Sequence, residues 1–155
     1  MDRMYLEDFA AGQVFRSPAY TVTEAEILAY AAQYDPQPFH LDAEAAKATL
    51  FGGLAASGWH TASITMRLIV DSDFRPAWGV IGGRMESVEW PRPTRPGDVL
   101  RVESEVLEVK PSRSKPEQGM LRVRCTTFNQ QDQPVQVIVP NIIVPRRPAQ
   151  RTTSG

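Results

Sequence analysis

Cysteine is almost missing from this chain: Cys125 is the only one. An internal disulfide is therefore impossible and a cysteine-based zinc site is excluded, a usage that fits a reducing cytoplasm. Histidine is equally scarce, with His40 and His60 alone and no His-Glu-x-x-His spacing, so no metal site is expected. An excess of either charge is lacking too. The 17 basic residues are balanced by 18 acidic ones, which leaves out the basic footprint of a nucleic-acid-binding domain. No apolar run approaches the roughly 20 residues that span a bilayer, so no membrane partner is expected. The first residues lack the basic-then-apolar pattern of a secretory signal, and a cytoplasmic location is the expectation. Neither a Gly-x-Gly-x-x-Gly nor a phosphate-loop pattern occurs, so no cofactor is implied.

What is present is the composition of an ordinary globular domain, 42% hydrophobic and 23% charged over 155 residues. One domain is expected over 1–145, with 146–155 a disordered tail. To about residue 70 the chain reads as helical, and beyond that as strands. Thr23-Glu24-Ala25-Glu26 has the form of a capping box, and Pro36 and Pro38 end the helix it opens. Asp42 is a candidate N-cap for a second helix reaching about residue 50, and Ser57 for a third over 59–70. That third helix is apolar around much of its circumference, at Ala62, Ile64, Met66, Leu68, Ile69 and Val70, and is expected to be buried.

Apolar and charged residues alternate over 99–106 and 121–125, and 135–144 is apolar nearly throughout. Pro140 within that last run suggests a bulge or an edge position. A weaker strand over 79–90 carries Gly82-Gly83, which marks a bulge or a close backbone approach. A polar loop is expected over 110–119. Periodicity thus gives an α+β fold, a buried helix against a mainly antiparallel sheet, without naming it.

Asp35 and His40 stand five positions apart in a segment stiffened by Pro36 and Pro38. Such a pair can share a water, one partner accepting a proton while the other donates. Spacing alone leaves a second reading open, in which Asp35 ends a helix and His40 is a satisfied loop histidine. Ser57-Gly58 opens the third helix, where free amides attract negative charge, and the Gly58 amide could meet an enolate oxygen. A plain cap with a glycine needed for packing is the competing account. Asp35, His40 and Ser57 are the residue types of a nucleophilic triad, but Ala55-Ala56-Ser57-Gly58-Trp59 lacks the Gly-x-Ser-x-Gly elbow. His60 reads as a packed or capping residue, and Cys125 as core.

With these residues in view, the chain resembles the MaoC-like dehydratases, the group that includes the (R)-specific enoyl-CoA hydratases. The resemblance rests on Asp35-Pro36-Gln37-Pro38-Phe39-His40-Leu41-Asp42, on Ala45, Ala46 and Phe51-Gly52-Gly53, and on Ala56-Ser57-Gly58. It continues at Trp90-Pro91-Arg92-Pro93-Thr94-Arg95-Pro96-Gly97-Asp98. It implies a single hotdog domain, with a long central helix wrapped by a curved antiparallel sheet, paired into a homodimer. It further implies an acyl-CoA hydratase or dehydratase acting across the 2,3-bond of an enoyl or 3-hydroxyacyl thioester. Asp35 and His40 would activate the water, and the Gly58 amide, with Ser57 beside it, would bind the thioester oxygen. Met66 departs from the serine that some hydratases carry in the central helix. A thioesterase on the same fold, or a non-catalytic acyl-CoA-binding or heteromer-partner protein, are the alternatives. Trp59, Met66, Phe74 and Trp78 are candidates for an acyl pocket or for core. Arg84, Arg92 and Arg95 are candidates for CoA phosphates or for the solvated surface.

Overall fold

The computed structural model of the chain describes residues 2–148. A short 3-10 turn at Leu6–Asp8 leads into β1 (Val14–Arg16) and β2 (Tyr20–Thr21), and then α1 (Glu24–Tyr34). Two one-turn helices follow, α2 (Pro38–Leu41) and α3 (Ala43–Ala46), before the longest helix, α4 (Gly58–Val70). The rest is sheet: β3 (Ile81–Glu89), β4 (Val99–Pro111), β5 (Gln118–Phe128) and β6 (Pro134–Pro145).

The strands form one antiparallel sheet in the order β1-β4-β5-β6-β3, with β2 also paired to β4. Helix α4 lies against it. Ile64, Leu68 and Ile69 from the helix join Leu100, Val102, Val106, Leu121 and Val123 from the sheet in one buried cluster. This is the α+β, helix-on-sheet layout of the hotdog fold. Strand alternation places every second residue of β4 and β5 in that core.

Several local expectations hold and others change. Thr23 caps α1 by accepting from the Glu26 amide, but the Glu26 side chain does not return the bond and accepts from the Tyr20 hydroxyl instead, at 2.6 Å. Only half of the capping box forms. Asp42 caps the Glu44 and Ala45 amides, yet its helix stops at Ala46 and turns carry the chain onward. The stretch before residue 70 is not purely helical, because β1 and β2 pair with β4 there. Two and three residues are too short to show a period of two.

The third helix is buried on one side only. Trp59, Met66 and Val70 are exposed, while His60, Thr61 and Thr65 are buried with the aliphatic residues. Pro140 lies in β6, an interior strand, opposite Met85 and next to a register shift in β3. It therefore marks a bulge rather than an edge. A second shift falls between Gly82 and Arg84, where the paired glycines stand. Cys125 is buried in the core, and burial pushes its thiol up to about 11. The expected loop narrows to 112–117, because β4 and β5 pair as far as Pro111 and Gly119. Of the expected tail, 149–155 lie outside the described residues. Arg146 and Arg147 are held, the Arg146 amide donating to the Glu117 carbonyl and the Arg147 amide to Glu7, each at 2.8 Å.

Candidate active site

Asp35 is the residue on which α1 ends. Its amide still donates to the Ala31 carbonyl at 2.9 Å, but Pro36 cannot continue the helix. Pro38 then occupies the first turn of α2, where its missing amide costs nothing and its fixed φ favours helix. His40 thus sits on a helical turn rather than on the extended loop that two prolines suggest. One turn of helix folds the histidine back toward the residue that ended α1. His40 Nε2 lies 3.4 Å from Asp35 Oδ2, and the imidazole is buried.

Each member of the pair is oriented by further bonds. His40 Nδ1 lies 2.6 Å from the Ala55 carbonyl. A carbonyl can only accept, so Nδ1 carries a proton, and Nε2 is the nitrogen left facing Asp35. Asp35 Oδ1 accepts from the Gln37 side-chain Nε2 at 2.5 Å, and Oδ2 from the Ser57 hydroxyl at 2.7 Å. Burial pushes the Asp35 carboxyl up. The bonds from Gln37 and Ser57, with the charge of His40, outweigh that and hold it below its ordinary value.

Ser57 occupies the N-cap position of α4 without capping it through its side chain, which goes to Asp35. Its carbonyl receives the amides of His60 and Thr61, both at 3.0 Å. The amides of Gly58 and Trp59 have no carbonyl one turn back to reach, the general condition of a helix start. What approaches Gly58 closely is Trp90. A Cβ built on Gly58 would stand 2.6 Å from the Trp90 indole, so only glycine fits beneath that ring. Trp59 meets the same indole edge-on, centroids 5.2 Å apart.

Asp35, His40, Gly58, Phe51, Trp59 and Trp90 line one open cavity of about 290 Å³, with Ala56, Thr61 and residues 91–94 completing it, whereas Ser57 is completely buried and does not line it. Arg95 governs its rim in a way the sequence did not reveal. Its guanidinium donates to the carbonyls of Gly53 (2.9 Å) and Leu54 (3.2 Å) and also to that of Phe51. It is committed to the 51–54 segment, which runs straight into Ala55, the acceptor for His40. Asp98 fixes the Arg95 backbone in turn, accepting its amide at 2.8 Å. Arg92 lines the cavity, whereas Met66 and Phe74 line a separate apolar one. His60 stacks on Tyr30 at 4.7 Å and stays outside the cavity. Among the described residues no group of three His, Cys, Asp or Glu could hold a metal ion.

Known proteins share both the sequence and the shape. The family model described as "MaoC like domain" matches residues 8–128. The uncharacterized protein YdeM of Bacillus subtilis is 34% identical over 129 residues, covering 83% of this chain and 90% of that protein. The crystal structure of the MaoC-like dehydratase from Rhodospirillum rubrum superposes with a TM-score of 0.91 at 50% identity, covering 94% of this chain and 99% of the other. The unliganded R-hydratase PhaJ1 of Pseudomonas aeruginosa gives a TM-score of 0.71 at 27% identity, covering 94% and 88% of the two chains.

Proposed function

The chain belongs to the MaoC-like domain family, and from that premise we propose that it adds or removes water across the 2,3-bond of an enoyl or 3-hydroxyacyl-CoA thioester. The observation that carries this reading is the Asp35–His40 pair, with His40 Nδ1 tied to the Ala55 carbonyl and Nε2 turned to Asp35 beside the start of α4.

In the hydration direction a water sits beside the pair, within hydrogen-bond reach of both Nε2 and the Asp35 carboxylate. Nε2 is the base, because Nδ1 already holds its proton on the Ala55 carbonyl and the Asp35 carboxylate orients the water. As the water oxygen bonds to C3, its proton passes to Nε2, and the electron pair of the double bond moves toward the thioester oxygen. The Gly58 amide at the helix start receives that negative charge. The enolate then collapses, and C2 takes the proton from Nε2–H, since an ionised Asp35 has none to give. Asp35 accepts from the water and steadies the imidazolium while it exists. Dehydration runs the same steps backward.

The same reading includes a second copy of the chain and a cytoplasmic location. Edge strand β3 exposes Ile81 and Met85, and its unpaired edge is a surface that another strand can cover.

The test is the purified chain with short, branched and longer enoyl-CoAs, following both loss of the conjugated double bond and release of CoA thiol. Hydration without thiol release is expected, and His40→Ala should lower it about a hundred- to ten-thousand-fold while the circular dichroism spectrum is kept. Thiol release as the main product would make the chain a thioesterase. Equal, negligible hydration by both proteins would remove the enzyme reading altogether.

A further inference from the structure

Three buried residues behind the catalytic cavity, with the partly exposed Trp90 on its wall, form a continuous hydrogen-bond chain that the water chemistry does not use. The Trp90 indole N–H donates to Gln136 Oε1 at 2.8 Å, and Gln136 Nε2 donates to Thr65 Oγ1 at 3.0 Å. Thr65 Oγ1 lies 2.6 Å from Thr127 Oγ1. Gln136, Thr65 and Thr127 are completely buried. An indole can only donate, so the Gln136 amide has one permitted orientation, oxygen to Trp90 and nitrogen to Thr65.

The position of this chain is the same on each element that contributes to it. Along α4, Thr61 lines the catalytic cavity, Thr65 belongs to the network, and Met66 and Ile69 line a second cavity. Along β6, Gln136 precedes Ile138 and Pro140, and along β5, Thr127 stands two residues from Cys125; these neighbours also line the second cavity. That cavity is apolar and about 100 Å³. Trp90 itself lines the catalytic cavity, with its ring pressed on Gly58. The network therefore stands between two voids.

We propose that Trp90, anchored by Gln136 through Thr65 and Thr127, is the wall that ends the acyl side of the pocket and selects short acyl chains. This rests on the thioester reading given above. With the carbonyl at the Gly58 amide and the CoA portion leading out to solvent, the acyl tail is left the inward direction along α4. A short tail stops at the indole. A longer one has to displace the ring, which takes the partner from the indole N–H and leaves the oxygen of a completely buried carboxamide unpaired, a costly change. The catalytic cavity, about 290 Å³, lies at the small end of the roughly 300–1,000 Å³ usual for ligand sites.

The test separates binding from turnover. Butyryl-CoA and octanoyl-CoA are saturated and cannot react, so calorimetric titration reads the pocket alone. The native protein should prefer butyryl-CoA by about tenfold. Trp90→Ala, at a half-exposed position, should erase or reverse that ratio. Gln136→Leu keeps the side-chain bulk while freeing the indole, and should shift the ratio the same way by about threefold. Equal affinity of the native protein for the two ligands, or an unchanged ratio in a folded Trp90→Ala protein, overturns the proposal. Crotonyl-CoA and 2-octenoyl-CoA hydration by the same proteins tests the underlying reaction separately. Discrimination in binding without turnover would sink the hydratase reading and leave the wall standing, and turnover without discrimination would do the reverse.

Discussion

The Ser57 hydroxyl donates to Asp35 Oδ2 at 2.7 Å, so the first residue of the α4 boundary spends its side chain on the acid rather than on its own helix. One bond thereby joins the helix start, where the proposed oxyanion amide stands, to the carboxylate that faces His40. The two halves of the proposed reaction are held in register by it.

Ser57→Ala removes that bond and should let the Asp35 carboxyl rise toward its ordinary value. A carboxyl held low in the folded protein stabilises the fold above its unfolded pKa, and this contribution disappears as pH falls through the folded value. With the bond gone, the acid limb of the kcat/KM profile should move to higher pH. Activity at neutral pH should drop about tenfold, the worth of one charge-assisted hydrogen bond. An acid limb at the native position would show that Ser57 does not tune Asp35.

Arg95→Met should leave the carbonyls of Phe51, Gly53 and Leu54 without their donor and loosen the segment that presents the Ala55 carbonyl to His40. Thermal or urea denaturation should report a loss of about 1.5–3 kcal/mol. The functional mark is the histidine tautomer: nitrogen-15 spectra should show less of the Nδ1–H form. Arg95→Lys should restore little, because an ammonium cannot reproduce the guanidinium fork. Full recovery by lysine would reduce the role of Arg95 to its charge.

Gly58→Ala drives a Cβ into the Trp90 ring and should cost about 1–3 kcal/mol, although alanine is the better helix former. Combined with Trp90→Leu, the same change should become nearly neutral. Stability measurements on the two single variants and the double variant give the coupling directly. Additive effects would mean that the ring is not what demands glycine at position 58.

The alternating strands 99–106 and 121–125, the start of α1 at Thr23 and the bulge at Gly82-Gly83 were legible in the sequence, because each follows from spacing or capping along the chain. Asp35, His40 and Gly58 were also legible as candidates, since their residue types and the family pattern pointed to them. The helical turn that folds His40 back was not. Two prolines suggest an extended loop, and Pro38 serves equally well as the first residue of a helix. Arg95 looked like a surface cation, because no local pattern shows that its partners lie forty residues upstream. The exposed stripe of α4 was hidden for a related reason: Met66 and Val70 are as apolar as the residues facing the sheet, and periodicity carries no label for which face is covered.

The sequence by itself determined the start of α1, the long strands, the fold family and the residue types gathered at the candidate site, because local propensity and motif order act through neighbours in the chain. Only the tertiary structure decided that Ser57 serves Asp35, that the Ala55 carbonyl sets the His40 tautomer, and that Trp90 is fixed over Gly58 by Gln136. Those bonds join residues 22, 15 and 46 positions apart. Distance and direction between such groups exist only once the helix has settled on its sheet.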